Sequence, residues 1–279
     1  MNSNTLLGLK HACLALSACL ALAGCTVEDG SEATDGENAG DVESASDALT
    51  GSTCAEFGTI NVNGKSFVVQ NDRWGASTKQ CVSANNTSFT VTASDHNLKL
   101  AGPPASYPSI FKGCHWGNCT SDAGGMMKQV SAIHSMRSNW SVSLPNGGAF
   151  DVAYDVWFNR GKTANSPTQN DGTEIMVWID HRGAVQPIGG KIATANIEGA
   201  TWDVWHGKLT GTGKTWDVVS YVRHGGTGSV NFDLLGFVHD ARGRNLVQNS
   251  YFLTSVQAGF EIWQHAAGIK TNAFNVTVK

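Results

Sequence analysis

The chain has 279 residues, with 19 Lys and Arg against 23 Asp and Glu and a net charge of −4. Only 15% of residues are charged and there is no basic excess, so nothing points to nucleic acid or an anionic membrane surface as partner. Abundant Gly, Asn, Ser, Thr and Trp suit short strands joined by tight turns.

The first segment is a targeting signal rather than part of the fold. Lys10 precedes an apolar run, "ACLALSACLALAG", too short to span a bilayer as a stable helix. The run ends in Leu22-Ala23-Gly24-Cys25, which resembles a bacterial lipobox: an apolar residue, two small residues, then Cys. This predicts removal of residues 1–24 and a lipid on the Cys25 thiol, so export with anchoring at the cell surface. Thr26 rather than Asp follows the Cys, which in a Gram-negative cell points to the outer membrane. Ordinary signal cleavage after Ala21-Leu22-Ala23, giving a secreted protein, is the alternative. Residues 25–52 follow as an acidic tether. They hold eight acidic residues and no basic or aromatic one, and cannot bury enough apolar area to offset the entropy of ordering them. Beyond residue 52 the balance is 18 basic to 15 acidic, close to neutral. Residues 53–279 are expected to form one all-β domain, monomeric by default.

Of seven Cys, Cys13 and Cys19 lie in the signal and Cys25 at its end. Cys54, Cys81, Cys114 and Cys119 remain, an even count that reads as two disulfides in an exported chain. Spacing alone does not separate the three pairings. A metal site in "CHWGNC", using Cys114, His115 and Cys119, is the rival, but its spacing fits no common zinc pattern.

Alternating segments recur along the domain: "KSFVVQNDRW", "TSFTVTASD", "VSAIHSMRSNWSVSL", "FDVAYDVWFNR", "TEIMVWID", "ATWDVWHGKL", "TWDVVSYVRHG" and "YFLTSVQAGFEIW". Turn material such as "NGG" and "HGGTGS" separates them, which predicts a two-sheet sandwich or jelly roll. One stretch reads as a helix. "NFDLLGFVHDARG" puts Leu234, Leu235, Val238 and Ala241 at helical spacing, with Asn231 or Asp233 as cap and Gly243 as stop.

Three strands have an unusual second face. Successive side chains on a strand point to opposite sides. Val152, Tyr154, Val156 and Phe158 make one face of the first, leaving Asp151, Ala153, Asp155 and Trp157 on the other. Ile175, Val177 and Ile179 likewise leave Glu174, Met176, Trp178 and Asp180. Thr254, Val256, Ala258, Phe260 and Ile262 leave Ser255, Gln257, Gly259, Glu261 and Trp263. Each second face combines carboxylate and indole. Indoles stack on sugar rings, and glycoside hydrolysis needs a protonated and an ionised carboxyl facing each other. Solvated outer-face carboxylates are the plainer reading. Only Glu56, Glu174, Glu198 and Glu261 occur after residue 52, and two of them share this setting.

"TEIMVWID" with "GAVQPIGG", "AGFEIWQHAAG" some ninety residues later, "NDRWG", "GCHWGNC", "YDVWF" and "NFDL" together resemble glycoside hydrolase family 12. The resemblance covers about Cys54 to Lys279. It implies a β-jelly roll of two antiparallel sheets with a concave substrate cleft and one packed helix. It also implies retaining endo-hydrolysis of β-1,4-glucan, without metal or cofactor. Glu174 would be the nucleophile, Glu261 the general acid/base and Asp155 the nucleophile's neighbour. Trp74, Asp72, Met176, Trp178 and Pro187 would contact substrate, and the disulfides would be Cys54–Cys81 and Cys114–Cys119. Asp72 stands where the family commonly has Asn; it keeps the acceptor but loses the amide donor. Xyloglucan or mixed-linkage β-glucan as substrate, and a non-catalytic carbohydrate-binding jelly roll, are the alternatives.

Overall fold

A computed structural model describes residues 50–162, 171–211 and 213–279. The signal segment, Cys25 and nearly all of the acidic tether lie outside the described residues. The strands in the first half of the chain are β1 (Thr50–Thr53), β2 (Thr59–Val62), β3 (Phe67–Gln70), β4 (Gln80–Asn85), β5 (Ser88–Ser94), β6 (Ser109–His115), β7 (Asn118–Cys119) and β8 (Met136–Ser143). The long central strands follow: β9 (Ala149–Asn159), β10 (Thr173–Arg182), β11 (Gly190–Ile197), β12 (Ala200–Gly211) and β13 (Lys214–Arg223). The fold closes with β14 (Ser229–Asp233), β15 (Phe252–Gly259), β16 (Ile262–Gln264) and β17 (Lys270–Val278). Helical structure among the described residues is a single turn, α1 (Ala123–Met126), a 3₁₀ turn at Val130–Ala132, and α2 (Leu235–Gly243).

These strands form two sheets, ordered β1-β4-β5-β17-β8-β14 and β11-β12-β13-β10-β9-β15-β6-β3-β2, with β16 beside β9 and β7 beside β6. The all-β jelly-roll expectation is met, with three refinements. First, β10 and β13 pair in parallel, because the β11–β12 hairpin is inserted between them in sequence and β13 returns to the outer side of β10. Second, β1 begins at Thr50 and pairs with β4, so the last residues assigned to the tether belong to a strand. Third, a bulge between Leu253 and Ser255 in β15 changes which residue faces inward. Leu253, not Thr254, joins the core, and the Thr254 hydroxyl donates to the Trp157 carbonyl at 3.0 Å.

Local sequence explains the two sheets' different character. In β8 the inward residues are Met136, Ser138, Trp140 and Val142, and the outward Arg137, Asn139 and Ser143 meet solvent. That is the one-sided alternation of a sheet with a wet outer face. β9, in contrast, is buried along its whole length on both faces. One face joins the core between the sheets, where Trp140 packs edge-on against Tyr154 at 5.0 Å and the Tyr154 hydroxyl meets Ser138 at 3.0 Å. The other face is covered by a separate cluster that includes Trp157, Met176, Trp178, Trp216, Val218 and Trp263.

The helix expectation holds with adjustment. Asp233 accepts from the Leu235 N–H at 3.0 Å and so serves the helix start, whereas Asn231 lies within β14. Leu235, Phe237, Val238 and Ala241 are buried, with Phe237 edge-on to Trp202 at 4.9 Å. Both expected disulfides, Cys54–Cys81 and Cys114–Cys119, are formed. The second consumes the thiols that a "CHWGNC" metal site would need.

Candidate active site

The site is built by sheet register. On the face away from the core, one row crosses five strands: Gln257 (β15), Asp155 (β9), Met176 (β10), Ser220 (β13) and Trp205 (β12). The next row runs Ser255, Trp157, Glu174, Val218 and Gly207. Asp155 and Glu174 are therefore diagonal neighbours on one face, within side-chain reach. Glu261 arrives differently. β15 ends at Gly259, and β16 resumes pairing with β9 at Ile262 opposite Phe150. At the break, the Asp151 N–H donates to the Glu261 carbonyl at 3.0 Å, and the Glu261 N–H donates to Asp151 Oδ1 at 2.8 Å. So β9 carries Asp151 and Asp155 on its cleft face, with Glu261 on one side and Glu174 on the other.

Two indoles hold the carboxyls. Trp216 Nε1 donates to Glu174 Oε2 at 2.7 Å, and Trp157 Nε1 donates to Asp155 Oδ2 at 2.5 Å. Their rings pack against each other at 5.9 Å. Burial pushes Glu174 up to about 8; the Trp216 N–H opposes that shift and the Glu261 charge adds to it. Burial raises Glu261 to about 7, against a hydrogen bond from Asp151. Asp155 is raised well above the usual carboxylate range by burial and then by Glu174. Its Oδ1 is buried with no hydrogen-bond partner. Like charges this close cannot all ionise together, so the cluster keeps protons near neutrality and titrates in steps that belong to the set.

The remaining predicted residues divide. Trp74 is 46% exposed. The loop that carries it is fixed by Tyr107 N–H to Asp72 O and Gly75 N–H to Ala105 O; Tyr107 and Ala105 lie on the segment whose Tyr107 hydroxyl reaches the Ala153 carbonyl of β9 at 2.8 Å. Asp72 occupies a left-handed backbone (φ 38°), which Asp tolerates as Asn does. Burial raises its carboxyl to about 7, and its charge is felt by Asp155. Met176 lies in the row opposite Asp155 and is buried. Trp178 corrects the sequence reading. It is 1% exposed, so it offers no face to a sugar and packs beneath the cleft, one row from Met176. Pro187 is buried in the loop between β10 and β11, next to Val185, which packs on the cleft-side cluster. Sequence reasoning missed Trp216, which shares one face of β13 with Val218 and Ser220. It also left Asp151 without a role.

A sandwich whose open face carries carboxyls set between indoles has the build of a glycan-cleaving enzyme. Comparison with known proteins agrees: the model of glycosyl hydrolase family 12 matches residues 65–279, and the chain belongs to that family. Endoglucanase S of Pectobacterium parmentieri is 29% identical over 192 residues, covering 67% of this chain and 69% of that protein. The xyloglucan-specific endo-β-1,4-glucanase A of Aspergillus niger is 28% identical over 235 residues, covering 81% and 90%. The solved structure of endoglucanase Cel12A from Rhodothermus marinus superposes with a TM-score of 0.76 at 35% identity, covering 82% and 98%.

Proposed function

We propose that the protein is a retaining endo-β-1,4-glucanase in which Glu174 is the nucleophile and Glu261 the general acid/base. The observation that carries this reading is the setting of Glu174. It is a nearly buried carboxyl with an indole N–H on one oxygen, and it lies close enough to Glu261 to feel its charge. In the first step a Glu174 oxygen attacks the anomeric carbon, the glycosidic C–O bond breaks, and the Glu261 proton passes to the leaving oxygen. In the second, Glu261 takes a proton from water, the water oxygen attacks the anomeric carbon, and the Glu174 carboxylate leaves. Asp155 holds a proton beside the nucleophile, so Glu174 can carry the charge. Trp74 supplies a stacking face for a sugar at the cleft wall.

Release of reducing ends from carboxymethylcellulose, barley β-glucan and xyloglucan tests the activity; silence on all three would favour a non-catalytic glycan binder. The similarity to a xyloglucan-specific enzyme makes xyloglucan the second substrate to weigh. Glu174→Gln should lower turnover by about a thousandfold or more without unfolding the protein. Glu261→Ala should be rescued by azide on aryl glycosides with good leaving groups, which need no acid. We further propose export and lipid anchoring through Cys25; the two disulfides, which suit an oxidising compartment, support the export, and the lipobox-like Leu22-Ala23-Gly24-Cys25 the anchor. Mass spectrometry of the mature N-terminus would test it.

A further inference from the structure

We propose that Asp151 is a positioning residue for Glu261: it stays protonated and donates its O–H to the Glu261 carboxylate that forms when the leaving group departs. The inference rests on the acid/base assignment of Glu261 made above. Four observations carry it. Asp151 is 0% exposed, so it cannot touch substrate and must act through another group. Its backbone and Oδ1 grip Glu261 from both sides, through N–H to O at 3.0 Å and Oδ1 from N–H at 2.8 Å. No N–H or hydroxyl is aimed at its second oxygen, Oδ2, which is buried. Burial and the Glu261 charge both act against a negative charge on Asp151.

Two carboxyls held side by side by these contacts, with no outside donor for the buried oxygen, share a proton rather than both ionise. Burial fixes which one keeps it. Asp151 is wholly enclosed while Glu261 is partly exposed, so the charge settles on Glu261 and the proton on Asp151. The other ionisable groups facing Asp151 are Asp155 along β9, Tyr107 from the segment before β6, and His181, its register partner on β10. Asp155 disfavours a negative charge at Asp151, and Tyr107 is neutral there. The function follows from the direction of donation. A neutral O–H donor stabilises the Glu261 carboxylate, making Glu261 a stronger acid toward the leaving oxygen and fixing its orientation between the two steps.

The test is the pH profile of kcat/KM on barley β-glucan for wild type, Asp151→Ala and Asp151→Asn, with thermal unfolding of each as a check on folding. Loss of the donor in Asp151→Ala should raise the Glu261 pKa and move the alkaline limb up by about one pH unit. Asp151→Asn keeps an acceptor for the Glu261 N–H and a neutral donor for its carboxylate, so its limb should stay within about 0.3 units of wild type. A downward shift in Asp151→Asn would mean that Asp151 carries a negative charge, and overturns the proposal even if the alanine variant does not fold. Lower activity in folded Asp151→Ala with an unmoved limb would also overturn it. Glu261→Ala with azide separates the two readings: rescue upholds Glu261 as the acid whatever Asp151 does, and absence of rescue removes the assignment on which this inference stands.

Discussion

Trp216 and Trp157 each give an indole N–H to a carboxyl of the site. An N–H donor favours the ionised form of its acceptor, so Trp216 works against the burial that would otherwise keep Glu174 protonated. Trp216→Phe keeps the ring and removes the donor. The Glu174 pKa should rise, the acid limb of the kcat profile should move to higher pH, and kcat at its optimum should fall about tenfold or more. Steady-state kinetics across pH would check this; an unchanged acid limb would refute the role given to Trp216. The two glutamates were legible in the sequence because alternation alone put them opposite aliphatic residues. Trp216 was not, because its partner lies across a parallel pairing that no local pattern announces. Trp178 misled for the converse reason. Alternation gives the face of a side chain, not what later covers it.

At the scale of elements, the cleft depends on how β15 meets its neighbours. Gly113 of β6 has φ +108°, and a Cβ there would lie 2.2 Å from the Thr254 carbonyl, at the β15 bulge. Only glycine permits that approach. The bulge and the later break at Glu261 re-aim the strand, and neither was visible as anything but regular alternation in "LTSVQAGFEIW". The core-facing residues of β9 and β10 were readable because strict alternation persists through them. The disulfides act on different elements. Cys54–Cys81 spans 27 residues, while Cys114–Cys119 spans 5 and closes only the β6–β7 turn. By chain entropy the first should contribute about 3.5 kcal/mol and the second about 2. Paired Cys→Ser variants followed by urea unfolding should give that order; a larger loss from the short loop would mean that it supports the fold in some other way.

For the whole molecule, the site is held against the preference of its own charges. Glu174 at about 8, and Glu261 and Asp72 at about 7, all lie above their usual carboxylate range. The folded state therefore binds more protons than the unfolded chain between those values and the usual carboxylate range. The stability these groups confer is complete below their unfolded pKa and is lost as pH rises through 7 to 8. The Tm should accordingly decline from pH 5 to pH 8.5, and Glu174→Gln should flatten the decline while abolishing turnover. Scanning calorimetry at several pH values would read both. The fold class was legible from segment spacing and composition, whereas the crossover that brings β13 beside β10 was not, since it depends on which strands find each other after collapse. The Trp216 to Glu174 hydrogen bond joins residues 42 apart, and the Asp151 to Glu261 contact joins residues 110 apart. No contiguous stretch of the chain carries the proposed catalytic set, so loss of either contact should dismantle it before the rest of the sandwich has to open. Activity and backbone structure should therefore vanish along a single denaturant curve, or activity first, and never in the reverse order.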